Sequence, residues 1–119
     1  MTAPNTPNAP DGLLERGRRL WSDVTEAMEL ETHEELLLLE ACRTADRLDR
    51  LDAEAAHAPL TVTNARGDQV ANPLLVEARQ QGIVLARLLA ALRIPDAEDN
   101  RPQRRAVRGA YGVQSRGRA

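Results

Sequence analysis

Phenylalanine is absent from this sequence, and Trp21 and Tyr111 are its only other large aromatics. A core without aromatic bulk has to be built from Leu and Ala. These residues cost least in a helix, and few β-branched residues compete with them. Lysine is absent too, so every basic side chain is Arg. That excludes Schiff-base chemistry and a P-loop lysine. A single cysteine, Cys42, excludes an intrachain disulfide and any advantage of an oxidising compartment. Long apolar runs are missing: Leu36 to Leu39 falls far short of a membrane span. The region after Met1 offers Pro and Asn where a signal peptide would be apolar. A cytoplasmic location and no membrane partner are expected.

What remains is a helical pattern, in a chain of 119 residues that suits one domain. Residues 1–10, with three Pro and two Asn, read as a flexible arm. Asp11 is placed to cap a first helix running to about Met28. Its apolar stripe is Leu13, Leu20, Val24 and Ala27, widened by Leu14 and Trp21. Thr32 and Glu35 have the spacing of a capping box, which starts a second helix near His33 that runs to about Ala56. Its main stripe is Leu37, Ala41, Leu48, Leu51 and Ala55, widened by Leu38, Cys42 and Ala45. The four consecutive Leu, at about 100° per residue, cover most of the helix circumference. One partner helix cannot bury them all, so two neighbours or another chain must pack there.

Leu60 to Thr63 and Gln69 to Ala71 flank the turn residues Asn64 to Asp68, the pattern of a short β-hairpin or ordered loop. Asn72-Pro73 then starts a third helix, with Asn as N-cap and Pro at the first position. Leu74, Ala78, Leu85, Leu88, Leu89 and Leu92 line one face, and Pro95 stops it. Val76, Ile83, Val84, Ala86, Ala90 and Ala91 leave little polar surface in its second half.

The expected fold class is all-α: a long antiparallel helical hairpin plus a shorter N-terminal helix. A short β-hairpin or loop separates the long helices, and the termini are disordered. Residues 11–95 form the helical domain and 96–119 a basic tail. Such a thin body has excess apolar surface, which predicts a homo-oligomer. The candidate interface residues are Leu36, Leu37, Leu38, Leu39, Leu85, Leu88, Leu89 and Leu92.

Charge is unevenly spread. Residues 1–100 hold 18 acidic groups against 10 Arg, a net of −8, whereas residues 101–119 hold six Arg and no acid, a net of +6. Arg101, Arg104, Arg105, Arg108, Arg116 and Arg118 are therefore candidates for contact with nucleic acid phosphates or an acidic protein partner. Arg16, Arg18 and Arg19 of the first helix form a weaker basic cluster of the same kind.

Constellations for catalysis are sparse. His33 and His57 lie near opposite ends of one helix, and Cys42 sits on an apolar face, where it reads as a buried structural thiol. Asp46, Asp49 and Asp52, with Glu40 upstream, place carboxylates every three residues and could hold a divalent cation for hydrolysis. The interleaved Arg43, Arg47 and Arg50 favour a solvated or interface charge stripe instead, with pairs such as Asp46 with Arg50. Arg66-Gly67-Asp68 spells an adhesion tripeptide, yet a hairpin turn accounts for it. No cofactor, metal site or catalytic residue is expected.

The order of elements carries a resemblance. Gly17-Arg18-Arg19-Leu20-Trp21 opens a first helix. Glu34-Glu35-Leu36-Leu37-Leu38-Leu39-Glu40-Ala41-Cys42 and Ala45-Asp46-Arg47-Leu48 form the second. The Gly67 hairpin leads into Ala71-Asn72-Pro73-Leu74. A helix with Glu77-Ala78-Arg79-Gln80-Gln81 and Leu88-Leu89-Ala90-Ala91-Leu92 ends just before a Pro. Over roughly residues 12–112 this resembles the small terminase subunits of tailed double-stranded DNA phages, in the form found in actinobacterial phages and prophages. The resemblance implies a ring of many copies that recognises phage DNA and loads a large ATPase–nuclease subunit. About 30 residues precede the second helix, too few for the separate helix-turn-helix of many such subunits. DNA contact would then use the ring body or the arms. The competing readings are a structural helical oligomer binding protein only, such as a head–tail adaptor or scaffold, and a hydrolase using the Asp row.

Overall fold

A computed structural model describes residues 8–95. The first seven residues of the expected arm, and the whole of 96–119 with its six Arg, lie outside the described residues. The described chain is mostly helical: α1 (Glu15–Ala27), α2 (Thr32–Ala55), β1 (Thr61–Thr63), β2 (Gln69–Ala71) and α3 (Pro73–Leu92). The two strands form an antiparallel pair, so the chain is not purely all-α.

The first helix does not start as expected. Asp11 is exposed in a turn with Gly12 at φ +96°, and α1 begins at Glu15 with Leu14 in the N-cap position. Leu14 has no side-chain oxygen to satisfy the free N–H groups of the first turn. The carboxylate of Asp46, on α2, does so instead. Its Oδ2 accepts from Leu14 N at 2.7 Å and its Oδ1 from Gly17 N at 2.7 Å. A capping role normally filled by a local Ser, Thr or Asp is here performed from 32 residues away. The positive end of the α1 dipole also favours the buried charge.

This contact decides which face of α1 turns inward. Gly17 is buried against α2, and a Cβ there would lie 2.8 Å from the carbonyl oxygen of Cys42 and would collide with the Asp46 carboxylate. The buried edge is consequently Gly17, Trp21, Val24 and, just past the helix, Met28, with Leu13 before it. Ala27 and Leu14, part of the expected stripe, are exposed.

At the start of α2 the cap lies one residue earlier than the Thr32–Glu35 pair. Glu31 is the N-cap, and its N–H donates to Glu34 Oε1 at 2.8 Å. The hairpin forms in the register Thr61–Ala71, Val62–Val70, Thr63–Gln69. Asn64 builds its turn, since Oδ1 accepts from both Arg66 N and Asp68 N at 2.9 Å, while Gly67 supplies φ +89°. Asn72 caps α3 as expected, accepting from Leu74 N at 3.0 Å. It also donates Nδ2–H to the Pro59 carbonyl at 2.9 Å, tying the loop below the strands to α3.

α3 runs back along α2: Leu74 and Glu77 lie beside Leu51 and Glu54, and Leu85 beside Ala45 and Leu48. Leu92 reaches the core made by Leu13, Trp21, Val24, Met28, Leu38 and Cys42. Arg93 then takes the left-handed conformation at φ 53°, which ends the helix and turns Ile94 onto the same core. All of this core sits where α1, the first half of α2 and the last turn of α3 meet. Between residues 47 and 91, Asn72 alone is buried.

Two substitutions test the tertiary cap. Gly→Ala inside a helix ordinarily stabilises by about 1 kcal/mol. Gly17→Ala should do the reverse, destabilising by about 1–3 kcal/mol through overpacking against α2. Asp46→Asn leaves one amide N–H group facing a backbone N–H and should cost about 1.5–3 kcal/mol. Urea unfolding midpoints of both variants check this. An unchanged or raised midpoint for Gly17→Ala would contradict the close approach.

Candidate interaction surfaces

The outer stripe of α2 carries Glu40, Arg43 and Arg47, with Glu40 paired to Arg43 at 3.9 Å and to Arg47 at 3.3 Å. These pairs are exposed and add little stability. The expected Asp46–Arg50 pair does not form, because Asp46 is turned inward to cap α1. Arg50 has no ionic partner among the described residues. The Asp row is thus split in function: Asp46 is structural, Asp49 pairs with Arg16 at 3.1 Å, and Asp52 stands exposed with no ionic partner among the described residues. Among the described residues no three of His, Cys, Asp and Glu gather as a metal-ligand set.

The first-helix Arg cluster is partly engaged by the body. Arg16 holds Asp49, and Arg18 donates to the Leu13 carbonyl oxygen. Arg19 is exposed, with neither an ion pair nor a side-chain hydrogen bond among the described residues. His33 and His57 are exposed at either end of α2.

The expected interface Leu residues divide three ways. Leu38 and Leu92 are fully buried in the chain's own core. Leu37 and Leu39 are half-buried against that core, and Leu85, Leu88 and Leu89 are half-buried along α3. Leu36 stays 63% exposed. The two neighbours that four consecutive Leu demanded are α1 and α3, and only Leu36 is left over. Two further apolar side chains, Ile83 at 43% and Val84 at 41%, stand exposed on α3. Their signal in the sequence was a helix apolar on all sides, which ordinarily means burial on all sides.

Two clefts flank the α2–α3 seam. One, of about 670 Å³, is lined by Arg47, Arg50, Leu51, Glu54, Leu74, Glu77 and Gln81. The other lies where the α1 layer stops, with Ala45, Leu48 and Leu85 as its floor and Asp49, Asp52 and Arg16 around it. Neither lining contains a Ser, Cys or His nucleophile or base. Both mix apolar floor with charged rim, the composition of a protein contact.

Cys42 is fully buried, and its thiol pKa is pushed up to about 12, first by burial and then by the negative charge of Asp46. It is therefore a packed side chain and not a nucleophile at neutral pH. No family model, curated protein or solved structure matches this chain. Among the described residues no helix is long and apolar enough to cross a membrane.

The buried thiol sets a pH dependence. The folded chain keeps its proton to about pH 12, whereas an unfolded chain ionises near 9.0. The stability tied to the neutral thiol is complete below pH 9 and falls as pH rises toward 12, by up to about 1.4 kcal/mol per pH unit. Unfolding midpoints measured from pH 8 to 11 should show this fall, and Cys42→Ala should flatten it. In the same protein at pH 7.5, Cys42 should resist a thiol reagent until urea unfolds the chain.

Proposed function

We propose that this chain is a non-catalytic assembly subunit, and specifically a phage terminase small subunit that recognises double-stranded phage DNA and recruits the large packaging subunit in the host cytoplasm. The observation that carries the assembly part is the run from residue 47 to 91 with Asn72 as its one buried residue. Among the described residues, half of α2 and nearly all of α3 lack a third layer, although α3 from Gly82 to Leu92 has Arg87 as its one charged side chain. In this reading α2 and α3 act as one long antiparallel helical hairpin, with α1 as a shorter flank, and a homo-oligomeric ring supplies the missing layer.

The DNA part is supported by the resemblance and by charge. The −8 of residues 1–100 would repel a duplex, and the +6 of residues 101–119 would attract one. With Arg16 and Arg18 engaged by the body, the task falls to Arg19 and the C-terminal Arg. The second reading, a head–tail adaptor or scaffold that binds protein only, draws on the same engagement of the first-helix Arg.

Light scattering after size exclusion, with and without residues 96–119, tests the proposal. A discrete assembly of several copies should form and survive the deletion. DNA affinity should fall steeply with salt, and the deletion should flatten that dependence. A monomer of 13.1 kDa at every concentration would sink the ring. An assembly with no salt-dependent DNA affinity would leave the protein-only oligomer.

A further inference from the structure

We infer that the subunits join head to tail, with the outer face of α3 of one copy seated in the acidic cleft beside α1 of the next. This rests on the self-assembly reading and specifies its contact.

The donor face is defined by α3 itself. Leu85 lines the cleft, and Ile83, two residues earlier, points about 200° away around the helix. Ile83 and Val84 are therefore the exposed apolar centre of a face that no other described residue covers. Arg79 and Arg87 lie four residues to either side of Ile83, both exposed and without an ionic partner among the described residues. The face is apolar in the middle and positive at both ends.

That pattern argues against α3 pairing with its own copy. An antiparallel pair centred on Ile83 would set Arg79 opposite the Arg87 of the other copy, twice over. A parallel pair would set each Arg beside its equal. Both arrangements juxtapose like charges, which costs affinity. The face needs a negative surface with an apolar floor.

The cleft beside α1 has both. Its floor is Ala45, Leu48 and Leu85, and its rim holds Asp49 and Asp52. Arg16 compensates Asp49 at 3.1 Å, which leaves Asp52 as the charge with no ionic partner among the described residues. The cleft on the other flank sets Glu54 and Glu77 against Arg47 and Arg50, so it offers Arg79 and Arg87 no net negative charge. Position matters as well: the acidic cleft begins where α1 ends its coverage of α2, so an incoming helix supplies the third layer that α1 does not reach. Because donor and acceptor are different surfaces, each copy keeps one of each free. The contact propagates, and it closes as a ring when the rotation between copies closes, where a two-fold contact would stop at two copies.

The test uses the full chain with substitutions at exposed positions, each checked for native helicity by circular dichroism. Ile83→Asp removes the apolar centre of the donor, and Asp52→Arg reverses the acceptor. Each should shift the scattering mass from the assembly toward the monomer and weaken association at least about tenfold. The double variant Arg87→Asp with Asp52→Arg should recover assembly relative to Asp52→Arg alone. If wild-type chain is monomeric throughout, the self-assembly reading fails and this inference with it. If wild-type assembles and neither single variant changes its mass, or if it stops at two copies, the head-to-tail contact alone is overturned. It is equally overturned if the effect of Asp52→Arg disappears once residues 96–119 are removed, since the cleft would then belong to the chain's own basic segment.

Discussion

The fold hangs on one carboxylate. Asp46 reaches from the middle of α2 to the first turn of α1 and takes two backbone N–H groups that nothing local can satisfy. Without it α1 would begin on four orphan donors and a Leu at the N-cap. Gly17 is the other half of the same contact, because only a residue without Cβ lets the α1 backbone approach the Cys42 carbonyl. Capping and close approach fix the rotation of α1, and rotation selects Trp21, Val24 and Met28 for the core. Local structure, packing and the burial of Cys42 all follow from that register.

Burial is concentrated at one end. The end containing α1 has fully buried Met28, Leu38, Cys42 and Leu92, whereas the two-helix end has Asn72 as its one buried residue. Opening free energies within a protein follow such differences. Local opening therefore costs least at the strand-bearing end, where burial is thinnest. The electrostatics run the same way: Asp46 is fully used, Asp49 is shared with Arg16, and Asp52 is unused.

Short-range features were legible in the sequence. Asn72-Pro73 announced a cap, and Asn64 with Gly67 announced a turn, because donor and acceptor lie within four residues. The start of α1 was not legible. Asp11 had the right chemistry in the right place, but the cap that forms spans 29 to 32 residues, and no window along the chain contains both partners. The α2 cap shifted by one residue because acidic side chains occupy both neighbouring positions, and Glu31–Glu34 competes with Thr32–Glu35. The inward edge of α1 was misjudged because Gly17 adds nothing to an apolar pattern yet makes the tightest contact. In the candidate surfaces the excess of apolar residues on α3 could be read, but Leu38 and Leu92 were assigned outward when the chain consumes them itself. The exposed pair Ile83 and Val84 emerged only once α2 had claimed the opposite face.

The left-handed turn at Arg93 has an effect beyond ending a helix. It folds Ile94 onto the cluster that also receives Ala9, so the described chain enters and leaves at the same end. From Cys42, α2 extends a further 13 residues, about 20 Å, before the strands begin. The described body is accordingly a directional object, with Ala9 and Ile94 at its thick base and the Asn64–Asp68 turn at its far tip. In a ring of cyclic symmetry, every copy has the same polarity along the ring axis, so all bases point one way and all tips the other. In such a ring the points where each copy's described chain begins and ends its packing, at Ala9 and Ile94, gather on a single face.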